Sequence, residues 1–183
     1  CLRLNDPKRP VYLSIIGGEP AASPQAMSVE MTRLQKLCDE LCLDQSVVFL
    51  GKRGQDTLPY YYSAAEVLVM PSRYESFGMV ALEAMACGTP VIASDVGGLG
   101  FLVQNGETGY TIPDGDPDVL CEKLSTLLND PHLRETMGRR AVEYAQSYAW
   151  DKIAAQIVTV YQTLLNKEKR NPLAGPVMDA SRG

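Results

Sequence analysis

Two glutamates eight residues apart, Glu75 and Glu83, bracket the stretch ESFGMVALE. The apolar run before them, Val67-Leu68-Val69-Met70, reads as a fully buried parallel strand. The run after the first of them, Gly78 to Cys87, is rich in Ala, Leu, Met and Glu and is stopped by Gly88, as a helix would be. One carboxylate then sits at a strand-to-helix turn and the other about two turns into the helix. Backbone N–H groups of the first helical turn lie between them, and their unsatisfied hydrogens and the helix dipole both favour a phosphate. Ionised carboxylates only accept hydrogen bonds, which suits hydroxyls. A ligand with a pyrophosphate in the middle and hydroxylated rings at both ends, such as a nucleotide-sugar, matches this arrangement.

Each residue also has a plainer reading. Glu83 would lie about 8 Å past the turn, near the span from a pyrophosphate to the far edge of a ribose, where it can accept from both hydroxyls of the diol. Taken alone, a helical glutamate is more often solvated. Glu75 in its loop serves either a ligand or the helix dipole, the latter worth a few tenths of a kcal/mol. Phe77 is either a wall facing a sugar or a core anchor, and Gly78 permits close backbone approach. A glycosidase needs two carboxylates facing one bond, which this spacing across a turn does not suit. Asp114-Gly115-Asp116-Pro117 lacks the periodicity of a calcium loop and reads as a turn and helix cap, so no metal is expected. There is no GxxxxGK[ST] segment and no Ser or Cys nucleophile elbow, and His132 beside Pro131 reads as a surface residue at a helix start.

The elements that must position these residues alternate between strand and helix. Val11 to Ile16 reads as a strand entering Gly17-Gly18. Met27, Met31, Leu34, Cys38 and Leu41 recur at helical spacing, giving an amphipathic helix over Ser23 to Leu41. Val47 to Leu50 is a second buried strand closed by Gly51, and a short helix follows from Asp56 as N-cap through Tyr60-Tyr61-Tyr62 to Ala65. Strands at Pro90 to Ser94 and Gly109 to Ile112 flank the Asp95-Val96-Gly97-Gly98 loop and the Asn105-Gly106 turn. Three helices complete the chain: one opened by Asp116-Pro117 and carrying Leu120, Leu124, Leu127 and Leu128, one carrying Leu133, Met137, Ala141, Tyr144 and Tyr148, and one from Trp150 through Ile153, Ile157, Tyr161 and Leu164. This order predicts an α/β fold, a Rossmann-like doubly wound parallel sheet with C-terminal helices. Ligands of such sheets bind beyond the carboxyl ends of the strands, where Gly17-Gly18, Gly51 to Gln55, Ser72 to Phe77 and Asp95 to Gly98 would cluster.

At 183 residues the chain suits one domain, taken as residues 1–166, with a polar tail over 167–183 that reads as disordered. A net charge of −5 lacks the basic footprint of a nucleic-acid binder. No apolar run reaches the length of a membrane span and no signal peptide is visible, so no transmembrane segment is expected. The five cysteines form no CxxC pair; Cys38 and Cys42, i,i+4 on a helix, read with the others as buried small hydrophobes, and the cytoplasm is the expected compartment. The chain opens on Cys1 rather than Met, and residues 2–6 read as the end of a helix, so a longer parent is expected.

The stretch VVFLGKRGQDTLPYYYSAAEVLVMPSRYESFGMVALEAMACGTPVIASDVGGL, followed by ETGYTIPDGDP, resembles the C-terminal donor-binding domain of retaining family 4 glycosyltransferases, which have the GT-B fold. Within that family it is most similar to the sucrose-phosphate synthase and mycothiol glycosyltransferase branch, and the similarity runs from Val11 to Leu165. The resemblance implies a retaining hexosyltransferase of carbohydrate biosynthesis, with a nucleoside diphosphate sugar as substrate and no cofactor. UDP is the first expectation for the nucleotide, ahead of GDP and ADP. It implies that Glu75 contacts the donor sugar near the reacting centre and that Glu83 holds the ribose. Amides of Phe77, Gly78, Met79 and Val80 would serve sugar and phosphates, and Gly51-Lys52-Arg53 would lie against the base. Gly17, Gly97 and Gly98 would shape the crevice, and the Trp150 helix would return toward the partner domain. The family's first strand, with an Arg and a Lys for the pyrophosphate, and its acceptor-binding N-terminal domain would precede Cys1, so the fragment alone is expected to be inactive. Two other readings stay open: a non-catalytic nucleotide-binding or protein-interaction module, and another GT-B enzyme such as an epimerase or phosphorylase.

Overall fold

Leu13–Ile16 (β1) and Val47–Gly51 (β2) pair in parallel, with Leu13 opposite Val47 and Ile15 opposite Phe49. A computed structural model describes residues 10–18 and 29–170 of the chain, with backbone only for 167–170. Between these strands lies α1 (Val29–Glu40), and after them α2 (Leu58–Ala64). A second parallel sheet has the order β3-β4-β5, formed by Leu68–Met70, Val91–Ser94 and Gly109–Ile112. Its connections are helical: α3 (Met79–Ala86) between β3 and β4, and the single turn α4 (Leu99–Leu102) between β4 and β5. The chain ends in α5 (Pro117–Asn129), α6 (Pro131–Ala145), a 3-10 turn at Gln146–Tyr148, and α7 (Trp150–Arg170).

The central strand β4 explains the layering. All four of its residues are buried, and successive side chains of a strand point to opposite faces. Val91 and Ala93 join Ala81, Ala84, Met85, Leu99 and Leu102 in one cluster, whereas Ile92 joins Ile112, Leu127 and Met137 in another. Helices therefore cover both faces, α3 and α4 on one and α5 on the other, with α6 contributing to each. This is the parallel α/β layering that the alternation of elements anticipates.

Several expectations need correction. Val67 to Met70 are half-buried rather than fully buried, because β3 pairs with β4 alone and its other edge has no strand beside it among the described residues. Among the described residues the hydrogen bonds accordingly join the strands as two parallel sheets, and apolar residues around β1 and β2 remain open: Tyr12 is 68% exposed and Val48 48%. The helix expected to begin at Asp56 begins at Leu58, where Thr57 occupies the N-cap and its hydroxyl donates to Gly54 O at 2.9 Å. Cys42 is not on α1 but past its end, at φ +54, and only Cys38 of the four described cysteines is buried. Tyr148 falls in the 3-10 turn after α6. The last helix continues through Lys167-Glu168-Lys169-Arg170, four good helix formers assigned above to the tail. The rest of that tail, and the start of the helix expected from Ser23, lie outside the described residues.

Candidate functional site

The loop after β3 closes at Gly78, which takes a left-handed conformation (φ +97) as the N-cap of α3. A side chain there would lie 2.6 Å from Leu99 Cδ2, so glycine is required by packing as well as by φ. Gly78 is buried, and its contribution is to let the loop settle on α4. From this start Ala81, Ala84 and Met85 point into the core. Met79 and Val80 stay 52% and 43% exposed, which leaves the mouth of the helix open to solvent. No side chain among the described residues caps it. Glu83 stands one turn beyond Met79 on the same face, about 6 Å along the axis. That is closer than the two turns expected, because with Gly78 as N-cap Glu83 is only the fifth residue of the helix.

Glu75 is half-buried and tied at two points. Its Oε1 accepts from the Phe77 N–H at 3.3 Å, and its carbonyl accepts from the Gly98 N–H at 3.0 Å. The Gly97-Gly98 loop after β4 therefore packs directly on the Glu75 loop. A Cβ at Gly97 would collide with the Glu75 carbonyl oxygen, and one at Gly98 would lie 2.5 Å from Phe77 Cα. The Phe77 ring is 39% exposed and rests edge to face on Tyr148, so it forms a rim, not a core anchor. The fold thus gathers Glu75, Phe77, Gly78, Met79, Val80, Gly97 and Gly98 at the carboxyl ends of β3 and β4.

Glu83 has a partner that sequence reasoning missed. The Tyr62 hydroxyl donates to Glu83 Oε2 at 2.9 Å, and the Tyr62 carbonyl accepts from the Thr89 hydroxyl at 2.6 Å. Tyr62 is only 6% exposed, and burial first, then its bond to Glu83, pushes its phenol pKa well above the ordinary value. The available signal was the i,i+4 spacing of Leu58 and Tyr62, which puts one tyrosine of the triplet on the inward face of α2.

Gly17, Gly51, Lys52 and Arg53 form a second group. The Gly17 N–H donates to Gly51 O at 3.1 Å, joining the carboxyl ends of β1 and β2. Arg53 Nε donates to the Tyr61 hydroxyl at 2.9 Å, and its guanidinium lies 5.9 Å from the Tyr61 ring centroid, while Lys52 is exposed. Helix α2 is the link between the groups, since Tyr61 holds Arg53 and the next residue holds Glu83. No hydrogen bond among the described residues joins Gly17, Gly51 or Lys52 to the Glu75 loop directly. A cavity of about 450 Å³ lined by Pro10, Tyr12, Asp44 and Ser46 opens at the opposite, amino-terminal ends of β1 and β2. Asp116 caps α5, accepting from the Asp118 and Val119 amides at 3.1 and 3.0 Å, as its place before Pro117 predicts.

The sequence profile described as glycosyl transferases group 1 matches residues 2–144. A relative named D-inositol 3-phosphate glycosyltransferase, from Corynebacterium efficiens, is 39% identical over 165 residues, covering 89% of this chain and 37% of the relative. Sucrose-phosphate synthase from Thermosynechococcus elongatus superposes with a TM-score of 0.75 at 42% identity, over 85% of this chain and 39% of that one. HepE from Anabaena, solved in complex with UDP, superposes with a TM-score of 0.72 at 27% identity, over 84% and 41%. The chain spans well under half the length of each of these proteins, and its α/β architecture matches that of GT-B glycosyltransferases. The chain belongs to the group 1 glycosyl transferases.

Proposed function

We propose that this chain is the donor-binding half of a retaining transferase that moves a hexose from a nucleoside diphosphate to an acceptor hydroxyl. The observation that carries the reading is the open, uncapped first turn of α3 with Glu75 before it and Glu83 one turn along it. Amides of Met79 and Val80 face the diphosphate, where the helix dipole favours negative charge. Glu83 accepts from the ribose diol, and Glu75 accepts from hydroxyls of the sugar. The backbone of Gly51-Lys52-Arg53 borders the base, and Gly17, Gly97 and Gly98 shape the crevice around it.

In this reading the acceptor oxygen attacks the anomeric carbon from the face that the diphosphate leaves, through an oxocarbenium-like state. Negative charge grows on the departing oxygen, and donors aimed at it lower the barrier without reorganising. The partner half supplies the acceptor site, and the first strand and loop of the donor-binding half supply the cations for the pyrophosphate; neither Lys52 nor the tyrosine-bound Arg53 is assigned that role. No metal and no cofactor enter the scheme. UDP is the nucleotide of choice, supported by the UDP and UDP-glucose complexes of HepE. The transferase names of the relatives favour group transfer over an inactive module or an epimerase. No helix among the described residues is long and apolar enough to cross a membrane. The reading places the enzyme in the cytoplasm, where thiols such as the four described free cysteines stay reduced.

A donor screen of the natural full-length protein with UDP-, GDP- and ADP-sugars, read by product mass, tests the proposal. A glycoside formed from a UDP-sugar supports it, and no transfer from any donor to a panel of hydroxyl acceptors overturns it.

A further inference from the structure

We infer that Tyr62 is a positioning residue for the nucleotide: its buried hydroxyl locks the Glu83 carboxylate in the orientation that receives the ribose diol. The inference rests on the ribose role of Glu83 proposed above. Glu83 is half-buried on the outward side of α3, and its Oε2 accepts from Tyr62 at 2.9 Å. Its Oε1 has no hydrogen-bond partner among the described residues. One tyrosine bond uses a single lone-pair site of the carboxylate, so both diol hydroxyls can still be received.

Tyr62 suits the task because it is fixed at both ends. Its ring lies in the cluster with Ala81 and Met85, and its carbonyl is held by Thr89, just beyond the end of α3. The side chain therefore braces two helices, and Glu83 takes its bearing from the core, not from solvent. A glutamate left free samples several rotamers, and selecting one on binding costs entropy. With the phenol in place that cost falls on folding.

The test is Tyr62→Phe in the natural full-length protein, which keeps the ring and removes the O–H. Binding of UDP and of 2′,3′-dideoxy-UDP is measured by calorimetry on the same sample, so any unfolded fraction cancels from their ratio. The expected result is a loss of roughly 3- to 20-fold in the preference for UDP, with affinity for the dideoxy compound unchanged. Equal weakening for both nucleotides would mark a purely structural tyrosine and overturn the inference. Glu83→Gln is measured alongside. If it leaves the preference intact, the ribose role of Glu83 fails. If it abolishes the preference while Tyr62→Phe does not, the positioning role alone fails.

Discussion

Phe77 and Tyr148 meet edge to face, with ring centroids 5.8 Å apart and ring planes at 67°. Tyr148 in turn contacts Tyr144 at 5.5 Å between centroids, with the two hydroxyls 3.1 Å apart. The loop that carries Glu75 thus leans on the junction between α6 and α7, some seventy residues later in the chain. Such aromatic pairs contribute about 0.5–1.5 kcal/mol beyond the area they bury.

Removing the Tyr148 ring tests this support. Tyr148→Ala is expected to lower stability by about 1–3 kcal/mol and to weaken UDP binding by loosening Phe77. Tyr148→Phe, which keeps the edge contact, leaves binding intact. Denaturant unfolding and calorimetry on both variants provide the check. Undiminished UDP affinity in Tyr148→Ala would show that the loop stands without the tyrosine.

Glu75→Gln separates charge from shape. The amide oxygen of glutamine still accepts from the Phe77 N–H, so the loop keeps its turn. Turnover is expected to fall by about 100-fold or more, with UDP affinity within roughly threefold of the parent. Unchanged turnover by initial-rate assay would remove Glu75 from the reacting centre.

Gly97 and Gly115 make a controlled pair, because both have positive φ, +48 and +71. A Cβ at Gly115 meets open space, whereas one at Gly97 collides with the Glu75 carbonyl oxygen. Gly115→Ala should cost about 1 kcal/mol, the strain of the backbone alone. Gly97→Ala should cost over about 2 kcal/mol and abolish UDP binding, because the Glu75 loop must move aside. Equal stability of the two variants in thermal melts would mean that the loop yields without cost.

Alkaline pH provides a fourth test. The hydrogen bond with Tyr148, reinforced by burial, pushes the Tyr144 phenol up to about 12, and burial raises Tyr62 further. An unfolded tyrosine titrates near 10, so on raising the pH the unfolded chain loses its protons first. The stabilisation from these phenols is complete below pH ~10 and is lost as pH climbs toward and past 12. Melting temperature should therefore decline steeply from pH ~10 upward, and less steeply in Tyr144→Phe. An identical pH profile in the variant would deny Tyr144 any part in the decline.

Much of this was legible in the chain itself, where local chemistry decides the outcome. Gly78 and Gly88 bound α3, Asp116 before Pro117 caps α5, and apolar runs mark the strands, because conformational preference and capping act within a few residues. The ESFGMVALE stretch likewise announces a carboxylate, a helix mouth and a second carboxylate from spacing alone. Other features depend on neighbours distant in sequence. That β3 pairs with β4 alone among the described residues, and is only half-buried, follows from which strands pair, which no window around Val67 to Met70 contains. The seating of Gly97-Gly98 on Glu75, of Phe77 on Tyr148 and of Tyr62 on Glu83 joins residues 21 or more positions apart. Hydrogen bonds and ring contacts act over a few ångströms, so only the packed chain decides which groups come within their reach.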